Sequence, residues 1–166
     1  IDDIQLSAIV TVADDGGSTG RIRDSYQIPA MGDIRHVMCA MAEEESIFTK
    51  LMNYRFGGEG DIAGHNLGNL LLLALSQTTG SFMEAIRTFS RVLKVRGKII
   101  PSTLEIVTLF AIMEDGTIVR GEDNIPKFRN HIDRVFYQRD IKATKESLEA
   151  IREADLIIYG IGSLYT

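Results

Sequence analysis

A short loop that joins two acids to glycines and hydroxyls is the stretch of this sequence best suited to chemistry. In VTVADDGGSTGRIRD, an apolar run leads directly into Asp14, Asp15, Gly16, Gly17, Ser18 and Thr19. If the glycine-rich part opens a helix, its unsatisfied N–H groups can bind a phosphate. Carboxylates repel phosphate, so we expect the acids to bind sugar hydroxyls or, as metal ligands, a divalent cation such as Mg²⁺. The alternative is that both acids only cap a turn.

A second polar group, GDIRH, places Asp33 and Arg35 near the start of a predicted helix. Asp33 is either a ligand contact or the N-terminal cap of that helix. A cation in the first turn of a helix is electrostatically unfavourable unless an anion is present. The sequence therefore predicts that Arg35 contacts a phosphate, and the alternative is a surface ion pair.

A third group, GHNLGN, opens an otherwise apolar helix with His65, Asn66 and Asn69. Polar side chains at such a place are costly unless they are satisfied. Asn66 and Asn69 share a helix face, and Gly68 thins the helix beside them. We expect these three side chains to bind the ligand, while a purely structural role is the alternative.

A second junction between a strand and a glycine turn occurs in YGIGSLYT, where we expect Gly162 and Ser163 to approach the ligand. Ligands of open parallel sheets lie outside the carboxyl ends of the strands, which is where both junctions fall. No Ser, Cys and His arrangement has triad spacing, and the histidines lack zinc-like spacing. Cys39 is predicted to be a core residue rather than a nucleophile.

The helices that must position these groups are indicated by apolar residues at helical spacing. The first is entered from MGDIRH and uses Ile34, Val37, Met38 and Met41. The second runs from Gly64 to a C-terminal cap at Gly80, the third covers 82–93 and ends near Gly97, and the fourth covers 144–153.

The strands alternate with these helices. Ile4 to Val12 is predicted to be a parallel, central strand covered on both faces. Further strands are expected at 98–100, 106–113, 117–119, 132–137 and 156–159. Asp115 and Gly116 in EDGT indicate a hairpin. The pattern predicts a single α/β domain over 1–166, with a doubly wound, mostly parallel sheet and an inserted β-hairpin.

Composition restricts the partners. The net charge is −5 and no Lys/Arg cluster is present, which argues against a nucleic-acid surface. The longest apolar run, Leu70 to Leu75, is too short to span a bilayer. A single cysteine is typical of a reducing compartment, so we expect a cytoplasmic protein. A helix face bearing Phe48 and Met52 is a candidate surface for a homo-oligomer.

At these motifs the sequence resembles the YvcK-type gluconeogenesis factors, which are relatives of the CofD 2-phospho-L-lactate transferases. The matching stretches run in order along essentially the whole chain. They are VTVADDGGSTGRIRD, GDIR, GHNLGNLLL, IPST, EDGTIVRGE, IDRVF and EADLIIYGIGSLYT. The match is closer to the YvcK type than to CofD itself.

The resemblance implies a Rossmann-like fold with an earlier strand and glycine-rich loop before Ile1 and more α/β structure after Thr166. The strand that ends at Asp14 and Asp15 would then be the second of the parent sheet, where an acid can meet ribose hydroxyls. The sequence thus looks like a segment of a longer protein, incomplete at both ends.

Two functions follow from the resemblance. The first is a regulatory protein that binds UDP-sugars such as UDP-N-acetylglucosamine and affects gluconeogenic growth, cell shape and cell-wall synthesis, without an established reaction. The second is a magnesium-dependent transferase that acts on a nucleotide diphosphate, similar to CofD, with Asp14 or Asp15 holding the metal. A third possibility is a scaffold protein that binds no ligand.

Overall fold

The structure, a computed structural model, describes residues 4–160 and shows a mixed α/β protein, as the sequence predicts. Six α-helices and five strands follow one another in this part of the chain. They are β1 (Ser7–Val10), α1 (Gly17–Tyr26), α2 (Gly32–Ala40), α3 (Ile47–Asn53), α4 (Leu67–Thr79), α5 (Phe82–Val92), β2 (Lys98–Pro101), β3 (Phe110–Met113), β4 (Ile118–Arg120), β5 (Ile132–Phe136) and α6 (Lys145–Glu153).

The parallel part of the fold is the pair β1–β2, with Ser7 opposite Lys98 and Val10 opposite Pro101. Helices α1 to α5 form the crossover that parallel strands require. β1 is parallel as predicted, but β2 is its single neighbour among the described strands. Its side chains alternate, so Val10 is buried while Ile9 is 39% exposed, and the predicted coverage of both faces is not seen.

The helices predicted from periodicity are confirmed, and capping residues close in sequence define several of their ends. Asn66 caps the start of α4, and Gly80 ends that helix in the left-handed conformation with φ 69°. Ser81 and Thr144 cap α5 and α6. These helices build the main core with residues from both strands, including Val10, Met38, Leu72, Ile86 and Ile99.

The predicted hairpin is confirmed at Asp115 and Gly116, where β3 pairs antiparallel with β4. β5 joins the other side of β3, which gives the order β4-β3-β5 and a separate small core around Ala111 and Met113. β3 is shorter than predicted. Val107 lies in the predicted strand at 106–113 but upstream of β3, and its carbonyl accepts a hydrogen bond from Arg23 of α1 at 3.1 Å.

Two further predictions are wrong in this structure. Residues 156–159 form no strand and pair with none of the described strands; their side chains are exposed, because a β-rich sequence forms a strand only where a partner supplies hydrogen bonds. Phe48 and Met52 do not share an exposed face, since Phe48 is 50% exposed while Met52 is fully buried in the main core. None of the helices within 4–160 is long and apolar enough to cross a bilayer.

Candidate functional site

The first turn of α1 forms the centre of the candidate site. The helix starts at Gly17, and no side chain of residues 4–160 caps it. The amides of Gly17, Ser18 and Thr19 have no intrahelical acceptor, as at any helix N-terminus. The predicted condition for phosphate binding, that this loop opens a helix, is therefore met. Ser18 and Thr19 are both buried, so their hydroxyls lie within the protein rather than on its surface.

Asp14 binds the turn and also adjoins the start of α2. Its Oδ1 accepts a hydrogen bond from the amide of Gly16 at 2.9 Å. A Cβ atom at Gly32 would lie 2.9 Å from both Asp14 Oδ2 and Thr19 Oγ1. Glycine at position 32 thus lets α2 begin directly against the acidic loop. Asp14 caps a turn, as the alternative proposes, with one of its two oxygens.

Asp33 lies in the first turn of α2, where the negative charge of Asp14 acts on its carboxyl group. Burial and the negative charge of Asp14 raise the pKa of the Asp33 carboxyl above its ordinary value, while His36 and Arg35 lower it. His36 Nδ1 lies 3.8 Å from Asp33 Oδ1, and both side chains are at least half exposed. Burial and Arg35 lower the pKa of His36. Asp14 and Asp33 therefore form an acidic side of the site.

Asp15 has different surroundings from Asp14. Its Oδ1 accepts a hydrogen bond from the amide of Asp123 at 3.1 Å, and its Oδ2 lies 4.0 Å from Arg23 Nη2. A Cβ atom at Gly121 would lie 2.6 Å from the same Oδ2. Asp15 thus joins the acidic loop to the segment after β4. Within residues 4–160 no group of three or more His, Cys, Asp or Glu could hold a metal ion by itself.

The GHNLGN segment meets the first turn of α1, although the two are distant in sequence. Ser18 Oγ lies 2.9 Å from Nδ1 of His65, and Asn69 Nδ2 donates to Thr19 Oγ1 at 3.3 Å. Asn66 has the structural role that the alternative proposes, because its Oδ1 accepts from the amide of Asn69 at 3.1 Å and so caps α4. The structure brings the first and third predicted groups together.

Arg35 is buried, with 3% of its side chain exposed, so a surface ion pair is excluded. Its Nε donates to Asn69 Oδ1 at 3.1 Å, and its Nη1 donates to the carbonyl of Met52 at 3.3 Å. Asn53 and His36 are its other partners. We interpret Arg35 as a positioning residue that orients Asn69. Its contact with phosphate stays a prediction, and its guanidinium is already occupied by protein groups.

Gly68 allows this arrangement. A Cβ atom there would lie 2.5 Å from the carbonyl oxygen of Met52 and 2.7 Å from Arg35 Cδ. The predicted thinning of α4 at this position is therefore real, and it lets the Arg35 side chain and the end of α3 approach α4. Gly68 supports the site through packing rather than by contacting a ligand.

Cys39 lines a cleft of about 560 Å³ between α2 and α3, together with Asn53 and Tyr54. The acidic loop and the first turn of α1 do not line this cleft. Burial is the main cause that raises the pKa of the Cys39 thiol, which disfavours the reactive thiolate. The geometry agrees with a packing role for Cys39.

Sequence reasoning missed two arginines beside His65. Arg21 Nη2 donates to the carbonyl of Ala63 at 3.3 Å, and Arg55 Nη1 donates to that of Gly64 at 2.7 Å. Arg21 stands three residues after Ser18, a helical spacing that gave a usable signal. Arg55 gave no such signal, because an isolated antiparallel β-bridge with Asn66 brings it to the site. Gly162 and Ser163 lie outside the described residues.

The chain is similar to proteins of one family over almost all of its length. The family model described as 2-phospho-L-lactate transferase CofD matches residues 3–166. The "Gluconeogenesis factor" of Listeria monocytogenes is 50% identical over 99% of this chain and 51% of its own length. The "Gluconeogenesis factor" of Bacillus subtilis is 48% identical over 98% of this chain and 52% of its own length.

A solved structure confirms the fold. A crystal structure of a Bacillus halodurans protein, 49% identical in sequence, superimposes with a TM-score of 0.93 and covers 98% of this chain and 52% of the other. The chain spans about half the length of the curated relatives that it matches. Since the family model spans residues 3–166 of 166, the chain belongs to the CofD family.

Proposed function

We propose that this chain forms part of the ligand site of a regulatory protein that binds a nucleotide sugar such as UDP-N-acetylglucosamine. The protein would affect gluconeogenic growth, cell shape and cell-wall synthesis. The names of the curated relatives support the link to gluconeogenesis. The observation that carries the proposal is the meeting of backbone amides, carboxylates and a side-chain amide at the first turn of α1.

These groups match the parts of a nucleotide sugar. The uncapped amides of α1 suit a phosphate, because a helix N-terminus carries partial positive charge. Asp14 and Asp33 suit the hydroxyls of a ribose or a sugar, since carboxyl oxygens accept hydrogen bonds from hydroxyl groups. The side-chain amide of Asn69 lies between Thr19 and Arg35, so its position is fixed before a ligand arrives.

A binding role fits the described residues better than nucleophilic catalysis. Ser18 and His65 form a hydrogen-bonded pair, but no acid in residues 4–160 is among the groups that act on the His65 imidazole, and a catalytic triad requires an acid there. Burial, followed by the charges of Arg21 and Arg55, lowers the pKa of His65. The imidazole is thus neutral at neutral pH.

Titration of the complete protein with UDP-N-acetylglucosamine by calorimetry tests this proposal. We expect saturable binding, and we expect Asp14→Asn to weaken it by about three- to tenfold in the presence of EDTA, the loss typical of one hydrogen bond. Gln77→Ala, an exposed change on α4, is the matched control and should leave affinity unchanged. No heat and no thermal shift at millimolar ligand would refute the proposal.

A magnesium-dependent transferase that acts on a nucleotide diphosphate is the second candidate. The observation in its favour is that Asp14, which adjoins the start of α2, places its negative charge near enough to raise the pKa of the Asp33 carboxyl. Mg²⁺ prefers one or two carboxylates together with phosphate oxygens and waters, which these two residues fit. Asp15 fits less well because its oxygens bind the Asp123 amide and adjoin Arg23. The metal would neutralise a diphosphate leaving group.

Metal dependence separates the two candidates. For the transferase, Asp14→Asn and Asp33→Asn should each lower turnover of a nucleotide diphosphate substrate at least about tenfold, while binding in EDTA stays unchanged, because only the metal-bound state loses a ligand. Product analysis with and without Mg²⁺ provides the measurement. Binding in EDTA that is weakened by Asp14→Asn, with no product under either condition, supports the regulator instead.

A further inference from the structure

Two exposed arginines are held beside the same short segment of backbone. Arg21 extends from α1 to the carbonyl of Ala63, and Arg55 extends from the stretch after α3 to the carbonyl of Gly64. These carbonyls belong to consecutive residues that immediately precede His65. The two guanidinium groups are therefore anchored at neighbouring carbonyls of one short backbone segment.

Neither arginine has an acidic partner among the described residues. Three other exposed arginines do, since Arg87, Arg96 and Arg139 each lie within 4.0 Å of a glutamate oxygen. Two acids, Glu59 and Asp61, stand in the same loop, yet neither is within 4.0 Å of a basic group in this part of the chain. Like charges that are held together without a counter-ion repel each other, and a bound anion would relieve this repulsion.

His65 connects the two arginines to the first turn of α1. Its Nδ1 lies 2.9 Å from Ser18 Oγ, and the positive charges of both arginines act on its ring. The buried hydroxyl of Ser18 belongs to the turn whose amides lack intrahelical acceptors. Arginine, imidazole and backbone N–H groups thus meet at this turn.

We propose that the positively charged Arg21 and Arg55, together with the neutral imidazole of His65, form a clamp that binds the diphosphate of the ligand. This inference rests on the proposed function for the nature of the ligand and assigns its orientation. The diphosphate lies on the clamp and the α1 amides, while sugar hydroxyls face Asp14 and Asp33. The planar guanidinium fork suits phosphate oxygens, and each arginine keeps donors that its carbonyl contact does not use.

Removal of the two arginine charges tests the clamp. Inorganic pyrophosphate and UDP-N-acetylglucosamine are the probes, titrated into the complete protein by calorimetry. We expect Arg21→Gln and Arg55→Gln each to weaken the binding of both probes about tenfold, and the double variant more. The double variant Arg91→Gln/Arg96→Gln removes the same net charge from exposed residues elsewhere and should keep wild-type affinity.

The outcomes distinguish the clamp from the proposed function. Pyrophosphate binding that depends on Arg21 and Arg55, without any binding of UDP-N-acetylglucosamine, supports the clamp and contradicts the nucleotide-sugar function. Binding of UDP-N-acetylglucosamine that the Arg21→Gln/Arg55→Gln variant keeps unchanged overturns the clamp and leaves that function standing. A wild-type protein that fails to bind pyrophosphate also overturns the clamp.

Discussion

Gly68→Ala is expected to lower the free energy of unfolding by about 2–4 kcal/mol. The added Cβ atom would lie 2.5 Å from the carbonyl oxygen of Met52 and 3.0 Å from its Cα, and backbone cannot move aside cheaply. The gain in helix propensity from glycine to alanine, about 1 kcal/mol, offsets only part of this cost. Urea denaturation followed by circular dichroism gives the measurement.

Gly57→Ala is the matched control for this prediction. A Cβ atom at Gly57 would meet nothing within 4 Å, and its φ angle is not positive. We expect a change within about 0.5 kcal/mol for that surface position. If Gly68→Ala proves as stable as Gly57→Ala, then α3 and α4 do not approach each other at Gly68 as closely as described.

Arg35→Met is expected to destabilise the protein by about 2–4 kcal/mol and to weaken ligand binding as well. Methionine fills much of the volume but leaves Asn69 Oδ1 and the Met52 carbonyl without the donors that they have now. Free of Arg35, the Asn69 amide loses its fixed orientation toward Thr19. Denaturation and calorimetric titration with UDP-N-acetylglucosamine measure the two effects.

Two further variants give this prediction its controls. Arg35→Lys should recover only part of the stability, because an ammonium group cannot reproduce the planar fork that spans Asn69 and Met52. Arg96→Met, at an exposed ion pair with Glu43, should change stability by less than about 1 kcal/mol. Wild-type stability and affinity in Arg35→Met would contradict the positioning role and remove Arg35 from the site.

Much of the fold could be predicted because it depends on local chemistry. The caps at Ser81, Thr144 and Gly80 and the turn at Asp115–Gly116 act on residues only a few positions away. Helical periodicity similarly identified α4 and α5. α3 was predicted only as a helix face bearing Phe48 and Met52, without bounds, because seven residues give little periodic signal. The strand at 156–159 failed because strand formation depends on a partner.

The candidate site, like the fold, depends partly on local sequence and partly on tertiary packing. The sequence alone determined which segments carry acids, amides and hydroxyls, since glycine loops and polar helix starts can be recognised locally. Only the tertiary structure decided the partners: Thr19 meets Asn69 across 50 positions and Ser18 meets His65 across 47. The tertiary structure buried Arg35, and it placed Arg21 and Arg55 beside His65. Burial and ion pairing depend on which distant elements pack together, and the spacing of residues along the sequence does not indicate that packing.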